Sequence, residues 1–196
     1  MPKTLVLFYS RRGATAALAE AVAEGARSVR FSEVTIRRLD DLASPDTIAA
    51  DPDWTTSRDA LAARYQTLGH IDELASYDGI ILGSPAIDGD VCAEVKQVLE
   101  QAAALRSNGA FANTVGSAFS PGQAQQAATW SLLSSLGQLG MILVPSGYDD
   151  ADPVAAAGQG KRVADVVSWV THARSHSHAE SPAPTHTHSH PHPHKH

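Results

Sequence analysis

A chain of 196 residues with 43% hydrophobic and 18% charged residues has the composition of a globular protein with a sizeable core. Its formal net charge of −6 argues against a non-specific nucleic-acid binder, which neutralises phosphates with a basic surface. The single Cys92 excludes an internal disulfide and a CxxC motif, and no apolar run reaches the ~18 residues of a membrane span.

The chain enters a strand pattern at once, without a basic start and apolar stretch, so a cytoplasmic location is expected. Thr4-Leu-Val-Leu-Phe-Tyr9 is a continuous apolar run, the signature of a strand buried on both faces. After Ser10-Arg-Arg-Gly13, the residues Leu18, Ala21, Val22, Gly25 and Val29 recur at helical spacing. Glu33 to Arg37 alternates as a half-buried strand. Residues 40–57 carry Pro45, Pro52 and many short polar side chains and are expected to be loop, with a surface helix from Ser57 to Leu68. Gly79 to Gly83 is the next buried strand and Cys92 to Leu105 the following helix. Thr114–Phe119 reads as a strand, Ala124–Leu136 as a helix and Met141–Pro145 as a fifth strand. Lys161 to Ala173 closes the domain as a helix burying Val163, Val166, Val167 and Val170.

Five strands alternating with helices imply right-handed crossovers and a parallel sheet covered on both faces. In such an α/β sheet, ligands bind outside the carboxyl ends of the strands. Function is therefore sought in the loops after Tyr9, Gly83, Phe119 and Val144.

The first loop carries the most chemistry. Ser10-Arg11-Arg12-Gly13-Ala14-Thr15 joins a strand to a helix, so backbone N–H groups and two hydroxyls suit a phosphate. Arg11 and Arg12 add positive charge or point to solvent. One glycine is too few for a dinucleotide GxGxxG, and Gly158-Gln-Gly160-Lys161 lacks the upstream glycine of a Walker A. Taken alone, the loop also reads as an ordinary turn with a helix cap.

The spacing of Ser10, Gly13 and Thr15 resembles the flavodoxin phosphate loop [ST]-x-x-G-x-T. Leu5-Val-Leu-Phe-Tyr-Ser10, Ala21-Val-Ala-Glu-Gly-Ala26, Tyr77 to Pro85 and Gly140 to Pro145 with Gly147-Tyr148 are similar to the WrbA-type NAD(P)H:quinone oxidoreductases. The resemblance runs over residues 3–148 and the last helix. It implies a three-layer flavodoxin-like α/β fold with a five-stranded parallel sheet in the order 2-1-3-4-5. It also implies bound FMN, NAD(P)H as co-substrate, a quinone-like acceptor and a homo-oligomer, dimer or tetramer. Carried over, Ser10, Arg11, Arg12, Gly13, Ala14 and Thr15 hold the phosphate. Pro85, Ala86 and Ile87 flank the isoalloxazine ring, and Ser120, Pro121 and Gly122 its pyrimidine side. No residue is assigned a catalytic acid or base role, because the flavin carries the electron chemistry.

The chain also departs from that family. Pro-Thr-Arg-Phe-Gly-Asn becomes Pro85-Ala-Ile-Asp-Gly-Asp90, which sets Asp88 and Asp90 beside the flavin, where they would lower its reduction potential. The Gly-rich loop after the fourth strand shortens to Ser120-Pro-Gly-Gln-Ala124. Gln138 and Leu139 stand where the family places histidines, and Arg106 where it places a pocket tryptophan. The insertion after the fifth strand is reduced to about Asp149–Gln159.

Of ten histidines only His70 precedes residue 172. The folded unit is expected over residues 1–174, followed by a flexible His-rich tail over 175–196. In that tail His186, His188, His190, His192, His194 and His196 recur at every second position, a pattern suited to Ni(II), Cu(II), Zn(II) or Co(II). The alternative function is thus a non-catalytic flavodoxin-like protein whose tail binds transition metal. His70 reads as solvated, Asp149, Asp150 and Asp152 as an acidic loop, and Cys92 as a small core residue. Trp130 and Trp169 are expected in the core, and Trp54 in a polar loop, exposed or lining a pocket or a subunit contact.

Overall fold

The computed structural model describes residues 1–122, 125–146 and 152–177. Its sheet runs β1 (Lys3–Phe8), β2 (Glu33–Arg38), β3 (Gly79–Gly83), β6 (Val115–Phe119) and β7 (Ile142–Leu143), with a hairpin of β4 (Ala86–Ile87) and β5 (Asp90–Val91) between β3 and β6. The strand order is β2-β1-β3-β6-β7, all parallel, which is the expected order of a flavodoxin-like sheet.

Strand alternation sends β1 into two cores. Leu5, Leu7 and Tyr9 join Ile80, Leu82 and Ala118 on one face, covered by helices α4 (Ala93–Arg106) and α5 (Gln125–Gln138). Val6 and Phe8 join Ile81, Val115 and Phe119 on the other, covered by α1 (Ala14–Arg27) and α6 (Pro153–Ser177). This explains the apolar runs Leu5–Phe8 of β1 and Gly79–Gly83 of β3, and the burial of all of β6 with Ser117 included: each of these residues faces a packed layer.

Several elements differ from the sequence expectation. The stretch 40–57, expected as loop, contains α2 (Pro45–Ala49) and the start of α3 (Pro52–Arg64). Both prolines sit in the first turn, where a missing N–H costs nothing. Ser44 Oγ accepts from Thr47 N at 3.2 Å and Asp51 Oδ1 from Trp54 N at 3.1 Å, so each helix starts on a side-chain cap. The following surface helix therefore ends at Arg64 rather than Leu68, and Thr67 instead bridges to Arg38.

Trp54, expected exposed, is buried, whereas Trp130 and Trp169, expected in the core, are 56% and 69% exposed. On α5 the buried stripe is Ala128, Leu132 and Leu136, and Trp130 lies two residues off it, about half a helical turn away. On α6 the stripe is Val163 and Val167, and Trp169 again stands two residues out of phase. Helix α6 begins at Pro153, eight residues before the expected Lys161. Its first turns pack tightly on α1: a Cβ on Gly160 of α6 would overlap the Val22 carbonyl, and one on Gly25 of α1 the Ala157 carbonyl. The fifth strand is shorter than expected, Ile142–Leu143, although Val144 N still donates to Gly116 O at 2.9 Å.

Candidate functional site at the carboxyl edge of the sheet

Register fixes where the predicted loops meet. Phe8 pairs with Gly83 and Gly83 with Phe119, so β1, β3 and β6 end level with one another. Tyr9 N donates to Gly83 O at 3.1 Å and Ser84 N to Phe119 O at 3.2 Å, carrying that alignment one residue further. The loops starting at Ser10, Ser84 and Ser120 are therefore neighbours along one edge, at the switch point between β1 and β3. Ser10–Thr15, Pro85–Ile87 and Ser120–Gly122 all lie there.

The first loop closes on itself and leaves the start of α1 open. Gly13 has φ +89°, a left-handed conformation that a side chain would strain, and open space where its Cβ would stand. Gly13 N donates to Ser10 Oγ at 3.1 Å, closing the turn. The N-terminus of α1 has no side-chain cap and no acidic residue in its first turn. Its backbone donors and dipole are thus available to an anion. Ser10 and Thr15 are buried, Ala14 and Arg12 are exposed, and Arg11 and Gly13 are half-buried.

The arginines are drawn towards α3. Arg12 forms a 2.7 Å ion pair with Asp51, the cap of that helix. This pair holds the Asp51 carboxyl below the usual carboxylate range, by the hydrogen bond from Arg12 first and the Trp54 backbone N–H second. Arg11 stacks on Trp54, with its guanidinium carbon 4.1 Å from the ring centre. Asp41 then bridges the layer, accepting from Tyr9 Oη at 2.8 Å and Trp54 Nε1 at 2.9 Å. Burial, and next the bond to Asp41, push the Tyr9 phenol above its ordinary pKa, so Tyr9 is the permanent donor. Trp54, which the sequence offers as a pocket residue, thus sits behind the loop, whereas Asp41 has no counterpart in the sequence reading of the site. The signal that points to them is Asp51-Pro52, a cap followed by a first-turn proline that brings α3 beside the loop.

After β3, Asp88 (φ +50°) and Gly89 (φ +82°) make the two-residue turn of the β4–β5 hairpin, the conformation for which Asp-Gly is favoured. Asp90 forms a 2.6 Å ion pair with Lys96 and accepts from Val91 N at 2.7 Å. These contacts, the Lys96 hydrogen bond foremost, hold its carboxyl below the usual range. Of the two expected carboxylates, Asp88 alone has no ion pair among the described residues. Ile87, at the turn, is 40% exposed and gives the edge an apolar contact surface.

The base of this loop is tied down. Cys92 N donates to Ser84 Oγ at 3.1 Å, and Ser84 Oγ lies 2.9 Å from Pro85 O and 3.2 Å from Cys92 Sγ. Cys92 is buried as expected, and burial pushes its thiol pKa up despite the Ser84 contact. A raised pKa leaves less thiolate at any given pH. Native protein at pH 8 is expected to react with a disulfide reagent about 100-fold more slowly than protein unfolded in guanidinium. Equal rates would show that the thiol is accessible.

Residues after β6 offer an unfilled polar contact. Ser120 is fully buried and its Oγ has no hydrogen-bond partner among the described residues, a costly state that a ligand amide or carbonyl would relieve. Gly122 has φ +96° and no atom within 4 Å of a Cβ position, so the backbone can approach a flat ligand closely. An uncapped helix start after β1 and an orphaned hydroxyl after β6, two strands away along the same edge, fit a phosphate at one end and a heteroaromatic ring at the other. FMN has that chemistry.

His70 is exposed, as expected. Asp149, Asp150 and the histidines His186, His188, His190, His192, His194 and His196 lie outside the described residues. Among the described residues no group of three or more His, Cys, Asp or Glu is placed to hold a metal ion. No described helix is long and apolar enough to cross a membrane.

Solved structures share this architecture. A flavodoxin, WrbA-like protein from Agrobacterium tumefaciens is 23% identical, with a TM-score of 0.60, 86% of this chain covered and 99% of that one. An archaeal flavodoxin is 18% identical, TM-score 0.59, covering 85% and 99%. FerB, a flavoenzyme NAD(P)H:(acceptor) oxidoreductase from Paracoccus denitrificans, is 15% identical, TM-score 0.56, covering 88% and 98%. At these identities the likeness establishes the fold. The family description "NADPH-dependent FMN reductase" matches residues 2–149, which span all seven strands and the three loops of the carboxyl edge. The chain is therefore a member of the NADPH-dependent FMN reductase family, a group of NAD(P)H-dependent flavin oxidoreductases.

Proposed function

We propose that the protein is an FMN-dependent oxidoreductase of the WrbA type that passes electrons from NAD(P)H to a quinone-like acceptor. The observation that carries this reading is the open start of α1, its turn closed by Ser10 and its first turn free of acidic side chains, level with the orphaned Ser120 hydroxyl. Ser10 to Thr15 hold the phosphate through backbone N–H groups and hydroxyls. Pro85, Ala86 and Ile87 line one side of the ring, and Ser120, Pro121 and Gly122 contact its polar edge. FMN supplies the two-electron chemistry when bound; the chain binds it, orients it and leaves one ring face to the acceptor. Ile87 and the open Gly122 supply a flat, apolar approach for a planar acceptor.

A homo-oligomer is part of this reading, supported by the large apolar side chains that Trp130 and Trp169 leave at the surface. The tail histidines His186 to His196 are proposed to take Ni(II), Cu(II), Zn(II) or Co(II), on composition alone.

Titration of flavin-stripped protein with FMN, followed by flavin fluorescence, tests the binding. A dissociation constant of about 1 µM or tighter, weakened at least about tenfold when Ser10 and Thr15 become Ala, is expected. The FMN-loaded protein should then oxidise NADPH in step with reduction of benzoquinone. No FMN binding at about 100 µM would overturn the proposal. Tight FMN binding without benzoquinone reduction would overturn its acceptor half.

A further inference from the structure

Helix α6 carries a second concentration of metal-ligating chemistry, separate from the flavin edge and from the tail. His172 and His176 stand one turn apart, both exposed, with ring centroids 4.5 Å apart and ring planes at 69°. Residues at i and i+4 share a helix face, the arrangement by which two histidines grip one ion in helical metal sites. Ring nitrogens reach a first-row ion at about 2.0–2.1 Å, a span that rings this close meet with small rotations about their side-chain bonds.

The surroundings favour an ion there. Arg174, two residues from each histidine, lies on the opposite side of the helix and reaches Asp78 Oδ1 at 3.5 Å. The helix is thus anchored to the domain on one side and presents the imidazole pair on the other, with no guanidinium between the rings. The pair occupies the last turns of α6, where the carbonyl end of the helix dipole favours a cation. No described acidic side chain completes a set of three ligands, so the remaining coordination positions are open to water or to further imidazoles.

We infer that His172 and His176 form a bidentate site for a divalent transition metal, of the Ni(II), Cu(II) or Zn(II) class, built on the folded helix. Imidazole and open positions suit these ions rather than Mg(II) or Ca(II), which require oxygen ligands. The site exists only where α6 is helical, whereas a histidine in an unstructured segment ligates equally before and after unfolding. Metal at this pair therefore raises the melting temperature, because it binds the native state selectively.

The test uses the full chain with His178, His186, His188, His190, His192, His194 and His196 replaced by Gln, which removes the other C-terminal imidazoles. With about 1 mM Ni(II), its melting temperature is expected to rise by about 4 °C or more. Equilibrium dialysis should give one Ni(II) per chain. A variant of this chain carrying His176→Ser and Ser177→His keeps the imidazole count but moves the second ring about 100° around the helix. The rise should disappear in that variant, whose melting temperature without metal should match its parent because the exposed His176 and its neighbour stand at the end of the helix. An absent rise in the parent, or a rise that survives the exchange, would overturn the site. The outcome is independent of whether FMN binds.

Discussion

Ala14→Glu is expected to stabilise the flavin-free protein and to weaken FMN binding, two effects of opposite sign from one carboxylate. Ala14 is the first residue of α1, exposed, in a first turn that holds no acidic side chain. A carboxylate there complements the helix dipole and adds about 0.3–1 kcal/mol to folding stability. The same carboxylate opposes a phosphate dianion held on the same N–H groups. At about 6 Å and an effective dielectric of about 40, the repulsion is roughly 3 kcal/mol, or about 100-fold in affinity. Ala14→Gln, with the same shape and no charge, should leave affinity within about threefold. Thermal unfolding and FMN titration of the three proteins measure both effects, and the affinity deficit should shrink as salt screens the exposed pair. Undiminished FMN affinity in the Glu protein would remove the phosphate from this helix start. A loss shared by Gln and Glu would indicate a steric clash rather than charge.

That experiment rests on a loop whose place between strand and helix is legible in the sequence, since Ser10, Gly13 and Thr15 sit between an apolar run and a helical stripe. β1 and β3 are legible for a related reason: both lie between two layers, so each carries a continuous apolar run with sharp ends. The support behind the loop was not. Pro45 and Pro52 were read as breakers of regular structure, yet each opens a helix behind a Ser or Asp cap, and the helix so formed brings Trp54 under Arg11. Local residue type does not say which side of a helix boundary a proline occupies; the cap preceding it does. Trp130 and Trp169 failed differently. Apolar character suggested burial, but the phase of each helix is set by Ala128–Leu132–Leu136 and Val163–Val167, and both tryptophans fall outside it. Asp88-Gly89 is a hairpin signal that a reading focused on family departures passed over.

The glycines where α1 meets α6 carry the largest expected effect on stability. Val22 and Gly25 on α1 face Ala157 and Gly160 on α6, each pair three residues apart, so the two helices touch backbone to backbone in a reciprocal contact. In Gly25→Ala the new methyl would occupy the Ala157 carbonyl, and in Gly160→Ala the Val22 carbonyl. Neither obstacle is a side chain that can rotate aside, so the helices must separate. Separation loosens Val22, Val163 and Val167 from Phe8 and Ile81, the core on that face of the sheet. Each substitution gains up to about 1 kcal/mol of helix propensity but is expected to lose roughly 2–4 kcal/mol net. For a domain of this size that is a fall of about 5–15 °C in melting temperature. The double variant should cost less than the sum, because the first methyl already parts the helices that the second would part. Gly158→Ala supplies the contrast. Gly158 lies in the same helix, exposed, with nothing within 4 Å of a Cβ position, so propensity acts alone. It should gain about 0.5–1 kcal/mol and raise the melting temperature by about 2 °C. Thermal melts of the four variants decide the matter: if Gly25→Ala and Gly160→Ala behave like Gly158→Ala, the close approach of α1 and α6 is wrong. If they fall while Gly158→Ala rises, two glycines within three positions of one helix serve opposite ends of the same rule, one exposed and replaceable, the other fixed by the backbone packed against it.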